Sequence, residues 1–230
     1  MYVYGKNVVN EVIKNDNTIK KAFVSKKFND KNTINMLNKN NIKIKYMDKF
    51  DMDKMVDGNH QGIIFDIVDY QYSDIDEIIN GEDCLLLMLD HLEDPHNFGA
   101  IIRTCEAAKV DGIIIPKDRS VSVNSTVMKV STGALTSVKI SQVTNLVNTI
   151  NYLKDKGFWI IGTDMNGTNY RDIDYSGKIC IIIGNEGKGI SNLISKNCDY
   201  IASIPMRGEI NSLNASVATG IIVFEAVKSR

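Results

Sequence analysis

Three stretches place polar side chains directly behind apolar runs: LDHLEDPHNFGAIIRTCEAA (89–108), IIIGNEGKGIS (181–191) and IPMRGEINSLNASVATG (204–220). In the first, Pro95 removes a backbone donor, Asn97 is placed to cap the helix that follows, Gly99 permits close approach, and Arg103 falls on that helix's second turn. In the second, Gly184, Gly187 and Gly189 surround Asn185 and Glu186, so backbone N–H groups are exposed where room is left for a ligand. In the third, Ile204, Met206 and Leu213 offer an apolar wall, and Ser212 and Asn214 offer polar contacts from the same loop. Each stretch also has a plain structural alternative: a capped helix with a surface Arg, a Gly-rich turn, and a helix whose N-cap is Ser212.

Together these residues supply one charge anchor, one carboxylate, several amides and hydroxyls, and an apolar slot. That inventory suits transfer of a group already activated by a cofactor, where positioning and charge stabilisation suffice. The glycines match neither the G-x-G-x-x-G dinucleotide fingerprint nor the G-x-x-x-x-G-K-[ST] phosphate loop. His60, His91 and His96 lack the partners of a nucleophile elbow. No metal-binding cluster stands out. Cys84, Cys105, Cys180 and Cys198 form no C-x-x-C and read as buried free thiols of a reducing compartment.

Strands must carry these stretches. Near-continuous apolar runs at 84–90, 111–118, 158–164, 178–187 and 200–206, with helical spacing between them at 97–110, 124–135, 144–157 and 191–198, predict an α/β domain around a parallel sheet buried on both faces. Residues 166–176 read as loop. All three chemical stretches follow strands, at the carboxyl ends where such sheets bind ligands.

The first 80 residues differ. Residues 1–54 carry 12 Lys against 6 acids, and residues 55–80 carry 6 acids with no Lys or Arg. Helices at 7–14, 30–41 and 52–56 alternate with strands at 20–26, 43–48 and 61–70, predicting a smaller α/β domain over 1–72, a linker over 73–82 and the larger domain over 83–230. The whole chain, 230 residues with a formal charge of -1, gives no global basic signal for nucleic acid. Its N-terminus lacks the basic and apolar regions of a signal peptide, and its apolar runs are too short to span a bilayer, so a cytoplasmic protein is expected.

The three motifs, in this order, resemble motifs 1, 2 and 3 of the SpoU (TrmH-like) branch of the SPOUT RNA methyltransferases, and the resemblance spans most of 84–230. Within that branch the chain looks most like the members that methylate a guanosine 2'-hydroxyl in the peptidyl-transferase P loop of 23S ribosomal RNA. YGKNVV and HQGI resemble the marks of that family's L30e-like substrate-binding domain. The resemblance implies a deep C-terminal trefoil knot, S-adenosyl-L-methionine as cofactor with S-adenosyl-L-homocysteine as product, a homodimer formed through the catalytic domain, and no metal.

It carries over a catalytic group of Asn97, Arg103, Glu186, Ser212 and Asn214, and cofactor contacts at Thr163, Gly184, Gly187, Ile204, Met206 and Leu213. Arg103 is expected to meet the ribose hydroxyl, mainly stabilising charge because a guanidinium is a poor base in water. Glu186 is expected to hold Arg103 or nearby loops. Arg119, Lys20, Lys21, Lys26, Lys27 and Lys31 are expected to contact RNA phosphates. One departure is visible: in GALTSVKI, Thr136 and Lys139 stand where close relatives carry an acid and a Pro. It bears on the substrate site, not on methyl transfer. The alternatives are a transfer-RNA 2'-O-methyltransferase of the same family and a non-catalytic RNA-binding or assembly factor.

Overall fold

The structure is a computed structural model and describes residues 1–5, 12, 19–131, 133–209, 212–228 and 230. The chain forms two compact units, Met1–Gln71 and Tyr72–Arg230.

The first unit contains β1 (Tyr2–Tyr4), β2 (Ile19–Ser25), α1 (Lys31–Lys39), β3 (Ile44–Met47), α2 (Lys49–Asp53) and β4 (Ile63–Ile67). The sheet order is β1-β4-β2-β3, with β2 and β3 parallel and β4 antiparallel to both β1 and β2. Asp30 caps α1 by accepting from the N–H groups of Asn32 and Thr33. Met52 of α2 packs on Phe23 and Ile64 of the sheet. This apolar demand sets α2 over 49–53 rather than over the expected 52–56. β1 is a strand the periodicity did not show, because three residues carry no pattern. The helix expected over 7–14 falls, apart from Val12, outside the described residues.

The second unit runs β5 (Cys84–Leu89), α3 (Pro95–Ala107), β6 (Gly112–Pro116), α4 (Ser125–Ser131), β7 (Ile140–Val143), α5 (Leu146–Asp155), β8 (Trp159–Asn169), β9 (Lys178–Ile183), α6 (Asn192–Ser195), β10 (Tyr200–Ser203) and α7 (Ala215–Lys228). Its six strands are parallel in the order β10-β8-β9-β5-β6-β7. Leu86, Met88, Ile114, Ile160, Cys180 and Ile182 are fully buried, as strands covered on both faces require.

Residues 73–82, expected as a linker, belong to this second unit. Ser73 bridges to Ser141, and Ile78 is 1 % exposed within the core. Gly112 admits it: a Cβ there would stand 2.7 Å from the Ile78 Cβ. An acidic, turn-rich stretch reads as solvated when two isoleucines that anchor it, Ile75 and Ile78, are counted with their polar neighbours. β8 also runs further than expected, through Asn169, because its far end pairs again with β10 after a register shift between Ile201 and Ala202.

Candidate active site

Because all six strands are parallel, the loops after them emerge on one side of the sheet. Those after β9 and β10, together with residues 163–165 within β8 and the start of α7, enclose a cavity of about 360 Å³, a size typical of small-molecule sites. Thr163, Gly184, Gly187, Ile204, Met206 and Leu213, the six expected cofactor contacts, all line it. Ile183 and Ile222 extend the apolar wall, while Asp164, Glu186 and Lys188 supply charge. Thr163 turns its hydroxyl away, donating to Ile182 O at 2.9 Å, so only its backbone is left to face a ligand. The Gly184 position has no space for a side chain, since a Cβ would lie 2.0 Å from the Gly189 carbonyl carbon and 2.2 Å from the Ile190 nitrogen. An apolar slot with exposed backbone and carboxylates at its edge can hold a small ligand that presents an apolar face and a cationic group.

The turn forming the floor is tied from several directions. Asn185 N–H donates to Gly189 O at 3.1 Å, and Gly189 N–H donates back to Asn185 O at 2.8 Å. The Asn185 Nδ2 donates to His91 O at 2.9 Å. Asp90, 3 % exposed at the end of β5, accepts from Ser191 N–H at 2.7 Å and holds the His91 Nδ1 at 2.6 Å. Asp90 and Asn185 were not among the expected site residues. A carboxylate closing an apolar strand, and an amide between glycines, were the visible signals.

Beside the cavity lies a directed chain of hydrogen bonds. Ser216 donates to Asn214 Oδ1 through its backbone N–H at 2.9 Å and its hydroxyl at 2.6 Å. The Asn214 Nδ2 donates to Asn97 Oδ1 at 2.8 Å, and the Asn97 Nδ2 donates to Glu186 Oε1. Chemistry at both ends dictates the direction. A carboxylate accepts only and a backbone N–H donates only, so both amides must point their amino groups towards Glu186. Glu186 also lines the cavity, making it the residue common to both features.

Several expected roles change. Asp94, not Asn97, caps α3, accepting from His96 N–H at 3.0 Å with Pro95 in the first helical position. The helix therefore begins earlier, Asn97 lies in its first turn, and Arg103 falls in its third. Of the two expected roles of Glu186, holding Arg103 or nearby loops, its bond from Asn97 fits the second, and among the described residues it has no bond to Arg103. Arg103 lies six residues along α3 from Asn97, about 9 Å by helical rise. It is exposed and has no hydrogen-bond or ion-pair partner among the described residues. Ser212 lines the cavity, whereas Asn214 precedes α7 and caps it by accepting from Ser216.

Arg119 lies on the loop after β6, exposed and with φ of 53°. That loop is pinned to the one after β5 by Val121 N–H to Leu92 O at 2.7 Å, so Arg119 stands on the cavity's side of the sheet. The five lysines do not share one surface. Lys20 and Lys21 lie near the start of β2, at a register shift in its pairing with β4, while Lys26, Lys27 and Lys31 lie beyond its end, Lys26 roughly 20 Å from Lys20 at strand rise. Lys26 is paired with Asp48 at 2.8 Å, which raises its pKa through the hydrogen bond and then the charge. Thr136 and Lys139 find local partners, Gly133 O at 2.8 Å and Glu77 O at 3.1 Å. Among the described residues no cluster of three His, Cys, Asp or Glu is placed to hold a metal, and no helix is long and apolar enough to cross a membrane.

Comparison with known proteins agrees with this architecture. Residues 84–224 match the model of the SpoU rRNA Methylase family, and residues 2–73 match the RNA 2'-O ribose methyltransferase substrate binding domain. A protein of Bacillus subtilis (strain 168) named as a TrmH family tRNA/rRNA methyltransferase is 38% identical over 238 residues, covering 100% of this chain and 96% of that protein. The SpoU methyltransferase AviRb from Streptomyces viridochromogenes, crystallised with AdoMet, superposes with a TM-score of 0.80 at 25% identity, covering 99% of this chain and 89% of that one. An AdoMet-bound rRNA methyltransferase from Sinorhizobium meliloti gives a TM-score of 0.80 at 25% identity, covering 99% and 86%. The chain belongs to the SpoU family of RNA methyltransferases, with an N-terminal substrate-binding domain and a C-terminal SpoU domain.

Proposed function

We propose that the chain methylates a ribose 2'-hydroxyl of 23S ribosomal RNA, on a guanosine of the peptidyl-transferase P loop, using S-adenosyl-L-methionine. The observation that carries this reading is Glu186, which lines the cavity and terminates the Asn214–Asn97 relay. A donor site and a set of groups able to order an acceptor meet in one residue. Ile204, Leu213 and the backbone at Thr163, Gly184, Gly187 and Met206 would hold the cofactor, which supplies a methyl group made electrophilic by its sulfonium.

The relay orients Asn97 and Glu186, and Ser212 stands at the cavity wall to position the ribose. Arg103 brings an unpaired guanidinium to the developing alkoxide, where it stabilises negative charge. Arg119 would meet a flanking phosphate. The trefoil threading implied by the resemblance is part of the same proposal, supported by β8, the loops after β9 and β10 and the start of α7 bordering one cavity. So is a homodimer: Val217 and Phe224, each 50 % exposed and seven residues apart, make an apolar stripe on α7 that burial in a partner would satisfy. The reading places the chain in the cytoplasm with its RNA substrate.

The test is labelled methyl transfer to unmodified 23S ribosomal RNA and to transfer RNA, with the modified nucleotide mapped. We expect a 2'-O-methylguanosine in the ribosomal RNA, lost by at least about 100-fold in Arg103→Ala with cofactor affinity retained. A product on transfer RNA alone overturns the substrate assignment. Near wild-type transfer by Arg103→Ala overturns the role given to Arg103.

A further inference from the structure

In the first unit, the ends of β2 and of the parallel β3 lie side by side, with Ser25 opposite Met47. The loop that enters β4 reaches the same end of the sheet, because β4 runs antiparallel to β2. These segments enclose a recess of about 530 Å³, lined by Ser25, by Lys49 and Asp53 of α2, and by residues 58–62. None of the residues carried over from the family's catalytic or cofactor sets lies here.

The loop is held rigidly. His60, 2 % exposed, accepts from Gly62 N–H at its Nδ1 at 3.0 Å, which leaves the proton on Nε2 to be donated to Asp53 Oδ1 at 2.9 Å. One buried ring thus bolts the loop to α2. Tyr4 donates to Asp57 O at 2.8 Å and packs under Gly58. Gln61 has φ of 51°, a left-handed backbone costly for a residue with a side chain, and its N–H donates to Asn59 Oδ1 at 3.2 Å. The outcome is a preformed recess edged by the amide of Asn59, the free oxygen side of Asp53, which is 52 % exposed, and Lys49.

On α2, next in sequence to Lys49 but not itself lining the recess, Phe50 is 71 % exposed with the Lys54 Nζ 4.1 Å from its ring centroid. An exposed ring beside polar groups with donor and acceptor edges is what an unstacked nucleobase requires. A phosphate site is disfavoured by the charge balance. Lys26, Lys27, Lys49 and Lys54 are matched here by Asp48, Asp51, Asp53 and Asp57, and Lys26 is already paired.

We propose that this recess receives one unpaired nucleobase of the RNA substrate, stacked on Phe50 and read on its edge by Asn59 and Asp53. The proposal rests on the RNA methyltransferase reading and adds where, and by what chemistry, the first unit holds the RNA. It is a second contact distant in sequence from the methyl-transfer site, and it selects a loop or bulge over a paired helix.

The experiment measures methyl transfer by the full chain as a function of the concentration of the RNA that the wild type modifies, for Phe50→Ala, Phe50→Trp and Asn59→Ala. Phe50 is surface-exposed, and a thermal melt checks that each variant stays folded. Loss of one base–aromatic stack raises the KM for RNA roughly 5- to 150-fold. We expect that rise in Phe50→Ala, a smaller one in Asn59→Ala, near wild-type behaviour in Phe50→Trp, and unchanged kcat and S-adenosyl-L-homocysteine affinity. The dependence of KM on salt stays as in the wild type, because no phosphate contact is removed. If the wild type methylates RNA and both alanine variants keep KM within twofold, the recess is not a base site and the proposal falls while the enzyme assignment stands. If the wild type methylates neither ribosomal nor transfer RNA, the underlying reading falls and this one with it.

Discussion

The Asn214 Nδ2 donates to Asn97 Oδ1 at 2.8 Å, joining residues 117 positions apart. This bond couples the start of α7 to the first turn of α3 and passes the orientation of Ser216 N–H on to Glu186. Each amide can be replaced by an isosteric carboxylate that lacks the donor, so the direction of the relay is open to test. A hydrogen bond to a charged group contributes about 1.5–3 kcal/mol, equivalent to roughly 10- to 150-fold. We expect Asn97→Ala to lower methyl transfer within that range, and Asn214→Asp, which breaks a neutral amide pair worth about 0.5–1.5 kcal/mol, by roughly 2- to 13-fold, while S-adenosyl-L-homocysteine affinity stays within a few-fold of wild type. Asn97→Asp should lose at least as much as Asn97→Ala, since it sets a carboxylate beside Glu186. Steady-state kinetics with calorimetric titration of S-adenosyl-L-homocysteine checks all three.

The two glycines of the cavity floor should respond differently to the same substitution. A Cβ on Gly184 meets the backbone of Gly189 and Ile190 at 2.0 and 2.2 Å, whereas a Cβ on Gly187 has the Asn185 Oδ1 at 3.7 Å as its nearest contact. Backbone cannot move aside as a side chain does, and overpacking typically costs about 1–3 kcal/mol. Gly184→Ala should therefore lower the melting temperature and abolish cofactor binding. Gly187→Ala should fold and melt like the wild type. Equal melting curves for the two variants would show that the 184–190 turn is looser than its geometry implies.

The apolar stripe on α7 predicts an assembly change. Val217 and Phe224 are each 50 % exposed. If the proposed homodimer forms, introducing charge by Val217→Glu with Phe224→Glu should convert it to monomer, as read by light scattering coupled to size exclusion, and reduce methyl transfer. A wild-type chain that is already monomeric at micromolar concentration contradicts the dimer.

Burial sets the thiols' chemistry. It pushes the Cys84 thiol up to about 12 and Cys198 to about 11, and raises Cys105 and Cys180 further. In the unfolded chain these groups ionise near pH 9, so at higher pH the unfolded state has released protons that the native state retains. Stability is then full below about pH 9 and falls as pH rises from there towards the raised values. Denaturant midpoints across pH 8 to 11 should decline, and a thiol reagent at pH 8 should leave the native chain nearly unlabelled while labelling all four cysteines after denaturation.

Much of the larger unit was legible because its physics is local. Runs such as CLLLML and KICIII can bury only between two helical layers, and three motifs behind such runs mark carboxyl ends whatever the strand order. What misled was also local. Asp94 and Asn97 are both good caps, and only the helix start shows that Asp94 takes the role while Asn97 is turned towards Glu186. The 73–82 stretch looks like linker in composition, yet Ile78 is core because Gly112, on a strand after it in sequence, leaves space for its side chain. The lysines of 20–31 look like one basic cluster until β2 is seen to separate them by its own length.

By itself, the sequence determined the α/β class through its periodicity, the residue types at the site through side-chain chemistry, and the family through the resemblance of three ordered motifs. Tertiary structure alone decided the sheet order, the sharing of Glu186 between cavity and relay, the isolation of Arg103 from that relay, and the bolt from His60 to Asp53. These are relations between segments distant in the chain. A hydrogen bond's partner is chosen by whichever donor and acceptor the packed strands bring within about 3 Å, and no local pattern encodes that choice.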